Sequence, residues 1–311
     1  MSSLELPPRI AVLGARGIGQ VHARVFKNFN ADICAVLGSS HTTAKQAANQ
    51  LNKSLGIISQ PYSDFETLIN EARPAAVSIC TPPECHFSQI LMAFDNRIPV
   101  FCEKPLIWGK DFTPETVEQN LSTIGKHPNR MLFVNTSNAA FMESVLEIMG
   151  RPAQVKCFSF KFFTQGSYIG KEIAIDLLPH GCSLLLKLLG VREITHLSED
   201  IQDHSYGCKF KYGNSDVDFE FREQPEGPKH FTFTIDHREF TRVQKGQGNN
   251  YRVFLIDSFT EQEIEIQDPF KIYISKFLAC LNNDADMQKD EFAEGAANLR
   301  LMTCIVLGGA I

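Results

Sequence analysis

The sequence predicts an α/β protein in two parts. An N-terminal doubly wound parallel sheet occupies residues 1–127, and a C-terminal α/β part on an open, largely antiparallel sheet occupies residues 128–311. Three observations predict this. Up to Pro105, short continuous apolar runs alternate with helical patterns, as parallel strands buried on both faces require. The first run ends in a glycine-rich turn that opens a helix, which is how a doubly wound sheet begins. Past "GKHPNR" the texture changes, and runs of period two separated by turn-rich segments follow, the mark of half-buried antiparallel strands. A length of 311 residues suits two domains, each with its own core.

The elements follow in order. "RIAVLG" is a strand, Ile10 to Leu13, ending at Gly14. "IGQVHARVFKNF" has helical spacing at Ile18, Val21, Val25 and Phe29. "DICAVLG" is a second strand. "TTAKQAANQLNKSLG" is a helix capped by Thr42 or Thr43 and closed by Gly56. "DFETLINEA" starts a helix on Asp64, a good N-cap. "AAVSICTPP" is a third strand, Ala75 to Cys80, stopped by two prolines. "CHFSQILMAFDN" is a helix and "PVFCEKP" a fourth strand. "GKHPNR" is a surface connection, then "MLFVNTS" is one more strand and a helix runs to Met149. "AQVKCFSFKFF" alternates as a half-buried strand. "AIDLLPHGCSLLLKLLG" is an apolar helix stopped by Gly190. Strand-like runs follow: "YGCKFKYG", "DVDFEFRE", "FTFTIDHREF" and "YRVFLIDSF", with "EQPEGPKH" and "QKGQGNN" as turns. They imply an antiparallel sheet with one helix-covered face. The tail is two helices. There is no internal repeat and no low-complexity segment.

Composition narrows the function classes. The chain is 43% hydrophobic and 21% charged, an ordinary globular balance. Net charge is −6, pI is about 5.9, and no Lys/Arg cluster appears, which argues against a nucleic-acid partner. "MSSLELPPR" lacks the apolar core of a signal peptide. No uncharged apolar run approaches the roughly 18 residues of a membrane span. The nine cysteines form no C-x-x-C and no zinc-finger spacing. The expectation is reduced thiols in a cytoplasmic protein, with no metal site.

The turn "GARGIG" departs from the G-x-G-x-x-G dinucleotide spacing: Gly14, Gly17 and Gly19 give G-x-x-G-x-G, with Arg16 at the middle position. Gly14 fits the tight turn and Gly19 the close helix–strand packing. Gly17, one place late, leaves room for phosphates, and the helix starting at Ile18 presents free N–H groups to them. An NAD site carries an acid about 20 residues on, at the end of the second strand. Here Gly38, Ser39, Ser40 and His41 contain none. Small hydroxyls can bond a 2′-phosphate and Arg16 can add positive charge. NADP(H) is therefore expected over NAD(H).

Three further motifs stand downstream: "CTPPECH" (Cys80 to His86), "CEKPL" with Glu103 and Lys104, and "IDLLPHGCSLLLKLLG" with Asp176 and His180. A glycine-rich turn, T-P-P-x-x-H, E-K-P, and D-x-x-x-H on a helix, in that order over nearly the whole chain, resemble the Gfo/Idh/MocA family, the relatives of glucose–fructose oxidoreductase and inositol dehydrogenase. The resemblance implies a Rossmann domain and a second domain whose open sheet often joins subunits, so a homo-oligomer, dimer or tetramer, is expected. It implies hydride transfer between a nicotinamide and an alcohol/carbonyl carbon of a sugar or cyclitol. By position Lys104 resembles the family's active-site lysine, and Asp176 and His180 its acid/base pair.

The chemistry fits those residue types. Hydride transfer to a carbonyl leaves an alkoxide that needs a proton. Asp176 and His180 share one helix face by their i, i+4 spacing. His180, with an ordinary pKa near ~6.5, can exchange the proton, and Asp176 can orient it or hold substrate. Lys104, at a strand's C-terminal end, can stabilise developing charge on oxygen. Glu103 can position Lys104 or the cofactor. Thr81, Pro82 and Pro83 shape the loop beside the cofactor, with His86 structural or near the nicotinamide. His22 is expected only to pack under the turn. Two departures bear on the substrate: Ser183 stands where the family often has aspartate, and Thr136 to Ala140 lack an arginine often present. Rival expectations are an imine reductase on the same scaffold and a nucleotide-sensing regulator without turnover.

Overall fold

A computed structural model of the chain describes residues 6–246, 250–281 and 291–309. The first five residues of the opening stretch, residues 247–249 of "QKGQGNN" and the last two of the tail lie outside the described residues. The described residues fall into two compact units. The first takes those up to Asn135 and those between Tyr273 and Ala296; the second takes Thr136–Ile272 and those from Ala297 on.

The first unit runs β1 (Arg9–Leu13), α1 (Ile18–Asn28), β2 (Asp32–Leu37), α2 (His41–Leu55), β3 (Gln60–Tyr62), α3 (Phe65–Ala72), β4 (Ala76–Ile79), α4 (Pro83–Asp95), β5 (Val100–Cys102), α5 (Pro114–Gly125) and β6 (Leu132–Val134). Its strands form a parallel sheet in the order β3-β2-β1-β4-β5-β6. The order reverses between β1 and β4, the switch point where such sheets bind ligands.

Local chemistry explains most of the elements. Asp64 caps α3 as expected, accepting from Thr67 N at 2.7 Å. Gly56 closes α2 with φ 63°, a left-handed conformation glycine adopts without strain. The N-cap of α2 is Ser40, not Thr42 or Thr43. Extended Ser40 accepts from Thr43 N while Thr43 Oγ1 accepts from Ser40 N, closing a capping box. Strand β3 was not legible: three residues around Pro61 make an edge strand with no pattern to read. The buried stripe of α1 is also rotated from the expected one. Gly19, His22, Ala23, Val25 and Phe26 face inward while Ile18 and Phe29 are each 37% exposed.

The unit boundary falls later than 127/128. Strand β6 pairs with β5, so residues 132–134 complete the first sheet. Residues near the C-terminus also return to this unit: the Phe277 ring lies 5.4 Å from Phe133 and 5.5 Å from Phe101.

The second unit contains α6 (Ala139–Met149), β7 (Cys157–Thr164), α7 (Lys171–Leu189), β8 (Ile194–Gln202), β9 (Ser205–Tyr212), β10 (Ser215–Glu223), β11 (His230–Ile235), β12 (Arg238–Lys245), β13 (Arg252–Asp257) and β14 (Gln262–Ile266); α8 (Pro269–Leu281) and α9 (Phe292–Leu307) contribute to both units. The sheet order is β14-β13-β12-β11-β7-β10-β9-β8. Every pair is antiparallel except β7 with β10.

Along β10, Val217, Phe219 and Phe221 are buried while Asp216, Asp218 and Arg222 are exposed, the expected period of two. Helix α7 lies on the buried face. At Gly181 a Cβ would sit 3.1 Å from the Phe160 and Phe219 rings, so the helix approaches there because no side chain intervenes. The run "FTFTIDHREF" is two strands, β11 and β12, turned at Asp236, whose φ is 54°. Asp tolerates that region. Strands β8 and β14 carry mostly exposed residues, so no apolar alternation marks them.

Candidate functional site

The glycine turn is a cradle with two closed walls and one open one. A Cβ on Gly14 (φ 81°) would lie 2.6 Å from the Cys80 carbonyl oxygen, and one on Gly19 would lie 2.2 Å from that of Gly14. Both positions are therefore committed to close backbone approach. Gly17, with φ 50°, has nothing within 4 Å of its Cβ position, and it forms the N-cap of α1, which has no side-chain cap. Open space over a helix N-terminus is what a pyrophosphate requires; in the chain as it stands the Gly19 and Gln20 N–H groups donate to the Arg16 and Gly17 carbonyls, at 2.9 and 3.2 Å. The shifted spacing thus has two close approaches, at Gly14 and Gly19, and one open position, at Gly17.

At the end of β2, Ser39, Ser40 and His41 are exposed, and Gly38 is fixed because a Cβ there would meet Ala44 N at 2.5 Å. Exposed Arg16 reaches across from the turn and donates from Nη2 to Gln46 Oε1 on α2 at 2.8 Å. Its guanidinium is therefore held against the helix that begins at His41.

A buried polar chain connects this cradle to Lys104. Cys80, whose carbonyl abuts Gly14, places Sγ 3.3 Å from His22 Nδ1, and Ser78 Oγ lies 2.8 Å from the same nitrogen. His22 Nε2 lies 2.7 Å from Glu103 Oε1. Asn135 Nδ2 donates to that oxygen at 2.5 Å, and the Lys104 N–H donates to Glu103 Oε2 at 3.2 Å. His22, Ser78, Glu103 and Asn135 are all buried.

Burial alone would strip the charge from His22. Cys80 and Glu103 outweigh it and push the imidazole up to about 10, so it donates from both nitrogens. Burial alone would likewise raise the Glu103 carboxyl. The hydrogen bond and charge of His22, with Lys104 and Asn135, hold it below the ordinary carboxylate range instead. Glu103 is thus an ionised anchor under the Lys104 backbone, and Lys104 itself is partly exposed, followed by a cis bond to Pro105.

The T-P-P loop is tied to the same place. Pro82 and Pro83 occupy the N-cap and first turn of α4, and Thr81 Oγ1 donates to Gln89 Oε1 at 2.6 Å. His86 is buried, with Nε2 2.8 Å from the Thr81 carbonyl and Nδ1 3.1 Å from that of Pro105. It staples the two loops together. Burial holds its pKa below the ordinary histidine value, against the pull of those carbonyls.

In the second unit, Asp176 and His180 lie one turn apart on α7, both partly exposed. The His180 ring stands edge-on to Phe162 of β7, with centroids 5.2 Å apart. Ser183 is buried: its hydroxyl donates to the Pro179 carbonyl at 2.8 Å, and Asn298 Nδ2 donates to Ser183 Oγ at 2.9 Å. Its part is to hold α9 on α7. Of the expected residues, the first unit brings together the cradle, the T-P-P loop, Glu103 and Lys104; Asp176 and His180 belong to the second. Among the described residues no group of three or more His, Cys, Asp or Glu could hold a metal.

Sequence reasoning missed Ser78 and Asn135 and gave His22 only a packing role, whereas it lies within hydrogen-bond distance of Ser78 and Glu103. His22 carried a readable signal: a histidine on the buried stripe of an amphipathic helix must find polar partners.

Comparison with known proteins matches residues 8–136 to the model GFO_IDH_MocA, described as an oxidoreductase family with an NAD-binding Rossmann fold. The inositol 2-dehydrogenase/D-chiro-inositol 3-dehydrogenase of Shouchella clausii is 27% identical over 187 residues, 58% of this chain and 53% of that protein. The chain thus spans about half the length of the curated relatives it matches. UDP-N-acetylglucosamine 3-dehydrogenase GnnA from Acidithiobacillus ferrooxidans superposes with a TM-score of 0.70 at 14% identity, covering 97% of both chains. The WlbA dehydrogenase from Thermus thermophilus, solved with NAD and UDP-GlcNAcA, gives 0.68 at 16% identity over 96% of this chain and 94% of that one. At such identities the likeness establishes the fold of both units.

Proposed function

Residues 8–136 match the Gfo/Idh/MocA oxidoreductase family, and from that premise we propose that the chain is a dehydrogenase transferring a hydride between NADP(H) and an alcohol/carbonyl carbon of a small sugar- or cyclitol-like substrate. The observation that carries this reading is the unbroken contact chain from Gly14 through Cys80, His22 and Glu103 to Lys104. It fixes a lysine to the same rigid base as the dinucleotide cradle. Fixed geometry of that kind is what catalysis by positioning needs.

The bound nicotinamide supplies or accepts the hydride. The chain's own residues do the rest. The N–H groups at the start of α1, beneath the open space at Gly17, hold the pyrophosphate. Arg16 and Ser39 take the 2′-phosphate, supported by the absence of a carboxylate from Gly38 to His41 and by the seat of Arg16 on Gln46. Lys104 donates to the substrate oxygen and stabilises charge there. His180 is the proton-exchanging group, with Asp176 orienting it. His86 and the paired prolines keep the loop beside the cofactor in shape. The nine cysteines are free thiols, which suits a reducing, cytoplasmic setting; no described helix is long and apolar enough to cross a membrane. A homo-oligomer joined through the open second sheet is part of this reading.

Fluorescence titration should give tighter binding of NADPH than NADH; equal or tighter NADH overturns the cofactor assignment. Turnover on a panel of cyclitols and sugars should fall about 100-fold or more in Lys104→Ala and His180→Ala. Intact turnover in either variant removes that residue from the site.

A further inference from the structure

On the buried face of the second sheet one charge interrupts a row of aromatic rings. Phe162 of β7 pairs with Phe221 of β10 on one side and Phe231 of β11 on the other. Arg242 of β12 lays its guanidinium carbon 4.0 Å from the centre of the Phe231 ring, 5.5 Å from that of Phe162 and 5.7 Å from that of Phe141 on α6. An arginine among core phenylalanines demands a reason, since an unpaired buried cation is costly.

The described residues give Arg242 no partner for its donors. Among the described residues it makes no hydrogen bond and no ion pair; the ionisable groups that face it are Tyr251 and Asp268, and both act from beyond ion-pair reach. Burial outweighs them and pulls the guanidinium down to about 10. Aromatic stacking satisfies the two faces of a guanidinium, not the five N–H donors in its plane. The side chain is partly exposed and none of its nitrogens is sealed from solvent. A planar fork held rigid by three rings, with its edge open, is a receptor for a planar or tetrahedral oxyanion bound through two parallel hydrogen bonds.

Its location says whose oxyanion. Phe162, one wall of this cage, is the ring on which His180 stands edge-on. The guanidinium and the imidazole therefore flank the same phenylalanine. We propose that Arg242 binds an anionic oxyacid group of the substrate, a carboxylate or a phosphate, so that the preferred substrate is an acidic sugar or cyclitol and not a neutral one. The assignment of that anion to the substrate rests on the role proposed for His180; the anion site itself does not. Arg242 specifies and positions; it takes no part in proton or hydride transfer.

Calorimetric or ligand-observed NMR titration of the full chain with glucuronate, glucose 6-phosphate and glucose tests this directly. One anionic probe should bind at least tenfold more tightly than glucose, and which one does so separates carboxylate from phosphate. Arg242→Met, which keeps apolar packing in the cage, should bind that anion no better than glucose, with melting temperature and NADPH affinity kept as evidence of folding. Arg242→Lys, which keeps the charge but not the fork, should fall between, and it carries the test alone should Arg242→Met fail to fold. Wild-type protein showing no preference for an anion over glucose, or Arg242→Met retaining the preference, overturns the proposal. If the preference holds and depends on Arg242 while no probe is turned over and His180→Ala changes nothing, the proton-transfer role of His180 fails and the anion site stands.

Discussion

Replacing Glu103 by Gln probes the base on which Lys104 is built. The carboxylate accepts from His22 Nε2 at 2.7 Å, Asn135 Nδ2 at 2.5 Å and Lys104 N at 3.2 Å. An amide of the same size has only one oxygen. Placed toward His22 and Asn135, it turns its NH2 group against the Lys104 N–H; flipped, it opposes two donors. One orphaned buried donor costs about 1–3 kcal/mol, and an imidazolium also loses its counter-charge. Removing one partner of a buried pair costs about 3–5 kcal/mol. The rise of His22 from 6.5 to about 10 sets a ceiling of roughly 5 kcal/mol at 1.36 kcal/mol per pKa unit, part of which belongs to Cys80. The melting temperature should therefore fall by roughly 10 °C.

The pH dependence carries a second signature. A histidine raised in the folded state contributes its stability fully below its unfolded value of 6.5, and loses it as pH climbs to about 10. Wild-type melting temperature should decline across that window, and Glu103→Gln should flatten the decline. Thermal melts from about pH 6 to about pH 9 read both effects. A variant within about 2 °C of wild type with a parallel pH profile would refute the charged network.

Arg16→Gly should narrow or reverse the preference for NADPH while leaving NADH affinity nearly unchanged, read by fluorescence titration; an unaltered ratio would remove Arg16 from the phosphate site. Gly19→Ala, whose Cβ would meet the Gly14 carbonyl oxygen at 2.2 Å, should cost about 3 kcal/mol or more in urea unfolding. Gly17→Ala meets no atom, but at φ 50° and ψ −114° it strains the backbone, so it should lose some stability as well as dinucleotide affinity; an unchanged dinucleotide affinity would remove Gly17 from the phosphate cradle. Asp257 is buried and bound by Arg238 through two hydrogen bonds, 2.9 and 2.5 Å, that hold it near 2 against an ordinary 3.8. Its contribution is present above 3.8 and lost as pH falls toward 2, so Asp257→Asn should be less stable at neutral pH and less sensitive to acid, as acid-titration circular dichroism would register.

What could be read from the sequence followed from how local the determining physics is. Strand β1, the Asp64 cap, the Gly56 stop and the alternation of β10 depend on nearest neighbours, and each stands where the residues put it. The glycine turn was half legible: Gly14 and Gly19 were recognisable by type, but only the measured approaches of 2.6 and 2.2 Å distinguish their committed positions from the open one at Gly17. Strands β8 and β14 were invisible because a mostly solvated strand needs no apolar code. His22 and Glu103 are 81 positions apart, and nothing local to either one states that they meet. Arg242 hid for the opposite reason. In "REFTRVQK" it reads as an ordinary outward charge on a polar strand, and alternation alone does not reveal that its face is the one carrying Phe231 and Phe162. Buried charge is set by tertiary pairing, and pairing is what a single sequence encodes least directly. The residues that escaped local reading are therefore concentrated where polar groups enter the core, under Lys104 in the first unit and beside His180 in the second.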